Sequence, residues 1–144
     1  MYDRILVRYG DLTLKGRNKR VFVERVNALI REKVNNQNVK LEQRHDRLFL
    51  VLNGEDYNEV IKGLNKVSGL SSYSLVSKSD RDIDSIMENA LNLIQTELKG
   101  KKVTFKVESK RSDKMYPIKS PEMSKIVARH VLKNTDNLTV DVHN

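Results

Sequence analysis

The stretch Arg8-Tyr9-Gly10-Asp11-Leu12-Thr13-Leu14-Lys15-Gly16-Arg17-Asn18-Lys19-Arg20 decides how this chain folds and what it is suited to hold. Just before and into it, Ile5, Val7 and Tyr9 share one face of the alternating run Arg4 to Tyr9, which predicts a strand. Two glycines follow, and glycine lets a backbone turn tightly and approach a ligand closely. Lys15, Arg17, Asn18, Lys19 and Arg20 then stand at the entry of a helix. The stripe Phe22, Val26, Leu29, Ile30 and Val34 predicts that helix over residues 19–34. A strand, a glycine-bearing loop and a cationic helix entry suit an anion, because cations at such a loop grip phosphate. The same residues also fit an ordinary basic, solvated helix entry.

Beyond the helix, Asn35-Asn36-Gln37-Asn38 reads as a turn. Val39, Leu41 and Gln43 alternate with Lys40, Glu42 and Arg44 in a half-buried strand. His45-Asp46 connects it to the more apolar strand Arg47 to Leu52, a predicted β-hairpin. Asp56 with Glu59 resembles a capping box ahead of a short helix with Val60, Ile61 and Leu64. Residues 70–78 close the unit as a strand. The order β-α-β-β-α-β predicts a ferredoxin-like antiparallel sheet with two helices on one face, over residues 1–78.

A second unit is expected over residues 79–144. Asp80 or Asp82 caps a helix carrying Ile83, Ile86, Met87, Ala90, Leu91, Ile94 and Leu98, and Gly100 ends it. Val103, Phe105 and Val107 alternate in a strand. Ser120-Pro121-Glu122 starts another helix, with Ser120 as its cap. Leu138, Val140 and Val142 suggest a last strand. The fold class is therefore α+β: a ferredoxin-like domain and then an incomplete α/β domain. The open sheet edge after Val142 leads us to expect that the chain is a fragment.

Charge narrows the function. The net charge is +8. Residues 1–20 hold six Lys/Arg against two Asp, and residues 101–119 hold seven against two acids, so the remainder is close to neutral. Positive charge gathered in two short segments is the footprint of a polyanion binder. The loop Ser109 to Lys119 carries the second cluster and leads into the Ser120 helix, whose first N–H groups are unpaired. The candidate nucleic-acid-binding residues are Lys15, Arg17, Asn18 and Arg20 in the first unit, and Lys110, Arg111, Lys114 and Lys119 in the second. Tyr116 either stacks on an unpaired base or packs against Pro117.

No catalytic, cofactor-binding or metal site is expected within the chain. It has no cysteine, hence no disulfide or thiol chemistry. The sequence has no P-loop and no G-x-G-x-x-G. His45, His130 and His143 are isolated, and His130 falls on the apolar side of its helix. Asp11, Glu24, Asp80, Asp82 and Asp84 form no catalytic constellation. No apolar run is long enough for a membrane span, and no signal-peptide core is visible at the N-terminus, so a cytoplasmic location is expected.

The segment Ile5 to Arg20 resembles the opening of the tRNA 4-thiouridine synthases, sulfurtransferases also tied to thiamine thiazole synthesis. Their pattern is a strand and then a YGE-x-x-x-KG-x-N-R-like run; here Asp11 takes the place of its Glu. Glu42 to Asn53, Val103 to Arg111 and Val140 to Asn144 also match, so the resemblance covers the whole chain. It implies a ferredoxin-like domain followed by a THUMP RNA-binding domain. An extra acid, Asp113, departs from the basic loop. The resemblance further implies tRNA as partner, with THUMP on the CCA-bearing 3′ end. ATP with magnesium, and sulfur from a cysteine desulfurase, would serve a catalytic domain absent from this chain. A homodimer stays open. Two alternatives remain at this point: the RNA-binding half of another THUMP-containing modifying enzyme, and a ferredoxin-like protein–protein adaptor.

Overall fold

The structure, a computed structural model, describes residues 2–10, 13–36, 38–44 and 47–141. The chain divides into two compact units, residues 1–78 and 79–144. Unit 1 runs β1 (Arg4–Tyr9), α1 (Gly16–Lys33), β2 (Lys40–Arg44), β3 (Arg47–Val51), α2 (Tyr57–Leu64) and β4 (Leu70–Val76). The strands lie in the order β2-β3-β1-β4, and every neighbouring pair is antiparallel. This is the ferredoxin-like arrangement expected from the order of elements. The two-residue period of the strands does the sorting. Ile5, Val7, Leu48 and Leu50 turn inward and are fully buried. Val26 and Ile30 of α1 and Val60 and Leu64 of α2 join them in one core. Each such aliphatic side chain contributes about 1.5–3 kcal/mol on burial.

Helix α1 begins at Gly16, three residues earlier than its apolar stripe predicts. Gly16 sits at φ +57, a conformation glycine adopts without strain, and this lets the chain enter the helix sharply. At the start of the loop, just after β1, the Gly10 N–H donates to the Gly69 carbonyl at 2.7 Å, fixing where the loop departs. The turn residues Gln37, His45 and Asp46, and Asp11 in the first loop, lie outside the described residues.

Helix α2 is capped by the Asp56 carboxylate, which accepts from the Asn58 N–H. The expected return half of a capping box is not made: Glu59 pairs with Lys62 instead, 3.1 Å away. The buried Gly63 brings α2 against the end of α1. A Cβ there would lie 2.5 Å from the Lys33 carbonyl oxygen. Gly→Ala inside a helix normally stabilises by about 0.5–1 kcal/mol. Here the obstacle is backbone, so overpacking, at about 1–3 kcal/mol, wins. Gly63→Ala is expected to lower stability by roughly 1–2 kcal/mol in denaturant unfolding. Unchanged or raised stability would mean the two helices separate freely.

Unit 2 runs α3 (Ile83–Leu98), β5 (Val103–Phe105), α4 (Ser120–Lys133) and β6 (Leu138–Val140), with β5 and β6 parallel. Val127, Val131 and Leu138 are its buried centre, packed by Ile86, Ala90, Ile94 and Phe105 among others. Asp82, not Asp80, caps α3, accepting from the Ser85 N–H at 2.9 Å. Lys99 takes the left-handed position at the end of α3, one residue before Gly100. Strand β5 stops at Phe105 rather than Val107, and among the described residues it pairs with β6 at three positions, Val103 with Leu138 through Phe105 with Val140; Val142, expected in the last strand, lies outside the described residues. Ser120 is not the cap of α4: it is the first helical residue, and Lys119 holds the cap position. His130 is half-buried, with Nε2 at 3.0 Å from Glu88 Oε1.

Candidate nucleic-acid interface

The four helix starts fall into two kinds. Helices α2 and α3 carry aspartate caps whose carboxylates accept backbone N–H bonds. Helices α1 and α4 have lysine at the cap, Lys15 and Lys119, and neither makes a side-chain cap hydrogen bond. Lysine has no acceptor with which to satisfy the free N–H groups of a first turn. A cation at the positive end of the helix dipole is also unfavourable, by roughly 0.3–1 kcal/mol. These two helix starts are the ones fed by the basic segments. At both starts the cap side chain leaves the first-turn N–H groups to other partners and cationic side chains stand at a positive dipole end, an arrangement a phosphate relieves, although α4 also carries Pro121, which has no N–H, and one acid, Glu122, in its first turn.

In unit 1, Arg17, Asn18 and Arg20 lie exposed on the first turns of α1, next to the exposed Lys15. No acid occupies that first turn. In unit 2 the loop from Ser109 to Lys119 lines an open cleft of ≈ 390 Å³, bordered by Arg81, Lys110, Arg111, Tyr116, Ser120 and Met123. Lys114 and Lys119 are exposed on the same loop. The structure thus gathers the eight predicted residues into two groups, one per unit.

The loop carries an internal latch. Arg81 Nη2 donates to Asp113 Oδ2 at 2.6 Å. The Arg81 guanidinium also lies over the Tyr116 ring, 5.6 Å from its centroid. The Tyr116 hydroxyl donates back to the Arg81 carbonyl at 2.6 Å. Arg111 Nη1 donates to the Tyr116 carbonyl at 2.8 Å, and the Met115 N–H to Asp113 Oδ1 at 2.9 Å. The hydrogen bond from Arg81, the Met115 N–H and the charges of Arg81 and Arg111 hold the Asp113 carboxyl below the usual carboxylate range. The latch is therefore charged at neutral pH. Asp113 does not simply subtract from the basic loop; it fixes its shape. Tyr116 is engaged by its hydroxyl and ring, and Arg111 braces the loop as well as adding charge.

Sequence reasoning did not find Arg81. It sits between two acids, Asp80 and Asp82, and its partners Asp113 and Tyr116 lie 32 and 35 residues away. Among the described residues, no group of three or more His, Cys, Asp or Glu is placed to hold a metal ion, and no helix is long and apolar enough to cross a membrane.

Comparison with known proteins follows the same division. A family model described as the ThiI ferredoxin-like domain matches residues 4–74, and the THUMP domain model matches residues 80–144. The chain belongs to the ThiI ferredoxin-like and THUMP domain families. It is 41% identical over 143 residues to the "Probable tRNA sulfurtransferase" of Geobacillus sp. (strain WCH70), covering 99% of this chain and 35% of that protein. It is 46% identical over 144 residues to the protein of the same name in Acholeplasma laidlawii, covering 100% and 35%. The chain thus spans about a third of the length of these relatives. Among solved structures it matches a 4-thiouridine synthetase in complex with RNA and bound ATP, with a TM-score of 0.85 and 26% identity, over 100% of this chain and 36% of that one. It also matches PH1313 from Pyrococcus horikoshii, with a TM-score of 0.78 and 28% identity, over 99% and 48%. The resemblance drawn from Ile5 to Arg20 extends to both domains.

Proposed function

We propose that this chain is the tRNA-binding region of a tRNA sulfurtransferase that makes 4-thiouridine, and that it positions the acceptor and CCA end for a catalytic domain outside it. The observation that carries the reading is the pair of lysine-led, uncapped helix starts, each fed by a basic segment and each in its own domain. The RNA in the related 4-thiouridine synthetase complex supports it. In this reading ATP with magnesium belongs to the catalytic domain. The residues here offer no glycine-rich nucleotide loop to hold it. Sulfur would come from a cysteine desulfurase, in the cytoplasm, and a link to thiamine synthesis and a homodimeric whole protein belong to the same proposal.

The test is a titration with tRNA over a range of salt. With ~5 phosphates contacted, log K against log salt should fall with a slope of about −3.5 to −4.5. Transcripts lacking the 3′ CCA should bind more weakly. A slope near zero, or stoichiometric ATP binding by this chain, would count against the reading.

A further inference from the structure

The sheet of unit 1 has a second face. Its core face is settled by Ile5, Val7, Leu48 and Leu50, packed with α1 and α2. The intervening residues point the other way. On β3 these are Arg47, Phe49 and Val51, and on β1 Arg4, Leu6 and Arg8. Phe49 stands opposite Leu6 in the register, and Val51 opposite Arg4. The middle of the face is thus an aromatic and aliphatic strip, half-buried, with no helix of unit 1 packed on it. The Arg4 guanidinium lies 5.9 Å from the Phe49 ring centroid. Arg8 Nη1 donates to Ser74 Oγ at 2.7 Å, which lays its guanidinium across β4. The strand β2 adds Lys40 and Arg44 to this face, and one acid, Glu42, which pairs with Arg44 and stands 3.7 Å from Arg4.

A solvated antiparallel face ordinarily alternates polar residues of both signs. This one has an apolar centre ringed by five cations and a single acid among the described residues. A second copy of the same face would set those cations against one another, because a two-fold interface meets itself. A regular duplex would use the charge but keep its bases stacked away from Phe49. Unpaired RNA uses both: bases stack on an aromatic platform while arginines hold the backbone. We propose that the open face of the unit 1 sheet binds a single-stranded RNA segment, with a base on Phe49 and phosphates on Arg8, Arg44 and Arg47. This deepens the tRNA-binding reading by adding a contact for unpaired nucleotides, separate from the helix starts of α1 and α4.

The experiment measures binding of a labelled oligouridylate and of intact tRNA to the chain and to two variants, Phe49→Leu and the double variant Arg44→Gln with Arg47→Gln. Phe49→Leu keeps an apolar side chain and removes the aromatic face. It is expected to weaken oligouridylate binding about tenfold, within the range for one lost stack. The arginine pair is expected to weaken it and to reduce the salt slope by about 1.4, two contacts at about 0.7 each on a single strand. Circular dichroism establishes that each variant is folded, and the arginine pair, which lies outside the core, stands in if Phe49→Leu is not. Oligouridylate affinity unchanged in a folded variant, with tRNA still bound, overturns this inference and leaves the tRNA reading standing. A wild-type chain that binds tRNA but no oligouridylate does the same. A wild-type chain that binds neither overturns both.

Discussion

Lys15→Asp combined with Lys119→Asp is expected to lower affinity for tRNA at least about a hundredfold while making the chain more stable. The two effects have opposite signs because they act on the same feature. Both cap residues have extended backbones, at φ −137, ψ 158 and φ −73, ψ 153, the conformation an aspartate cap uses. An aspartate there supplies the missing acceptor, at about 1 kcal/mol per cap, and replaces an unfavourable charge at the helix dipole with a favourable one. Since α1 and α4 belong to different units, each unit gains separately. For domains of this size, 1 kcal/mol is about 4–8 °C in melting temperature. Binding moves the other way. Each lysine on a phosphate is a charge-assisted contact of about 1.5 kcal/mol or more, so losing two costs about 3 kcal/mol, or a hundredfold, before repulsion from the new carboxylates is counted. Calorimetry and an anisotropy titration on the same preparation read both. Stability that rises with affinity unchanged would mean that neither helix start meets RNA.

The absence of caps at these two helices is informative because the chain caps its other helices well. Asp56 and Asp82 show that the ordinary solution was available. Sites retained for binding commonly carry a local cost in stability. That contrast could not be read from the sequence, where Ser120-Pro121-Glu122 looks like a cap, a first-turn proline and a favourable acid. Proline fits either of the first two helical positions, and the structure begins the helix one residue earlier than that wording suggests. Elements resting on long periodic stripes were legible: the alternation of Ile5, Val7 and Tyr9, and the core stripe of α1. Element ends were less so, since strands pair with distant partners, as β5 does with β6. The latch of Arg81, Asp113 and Tyr116 is tertiary throughout and left only an unexplained acid in the sequence. The open sheet face was hidden for a related reason. Strand alternation shows that two faces exist, but only the pairing order brings Arg4, Phe49 and Arg44 together.

The latch also decides which substitutions test the second basic segment cleanly. Arg111→Ala would remove a charge and free the Tyr116 carbonyl at once, so lost binding would have two causes. Lys110 and Lys114 are exposed and carry charge on the same loop. Lys101 and Lys102 make the fair comparison: two exposed lysines at the turn between α3 and β5, before the strand rather than beyond it. The bond that Asn137 makes there goes to the Lys101 carbonyl, which truncation of the side chain leaves in place. Both double alanine variants should therefore fold, and both remove two positive charges. Diffuse attraction to a polyanion would treat the pairs alike, since a charge is screened over about 8–10 Å wherever it sits. A formed site would not. Lys110 and Lys114 are held on a latched loop that leads into the open start of α4, so their loss should cost about 1–3 kcal/mol, or roughly ten- to a hundredfold in affinity. The loss at Lys101 and Lys102 should stay within about threefold, the scale of an exposed charge worth under about 1 kcal/mol. Equal losses at one ionic strength would reduce unit 2 to a nonspecific basic surface.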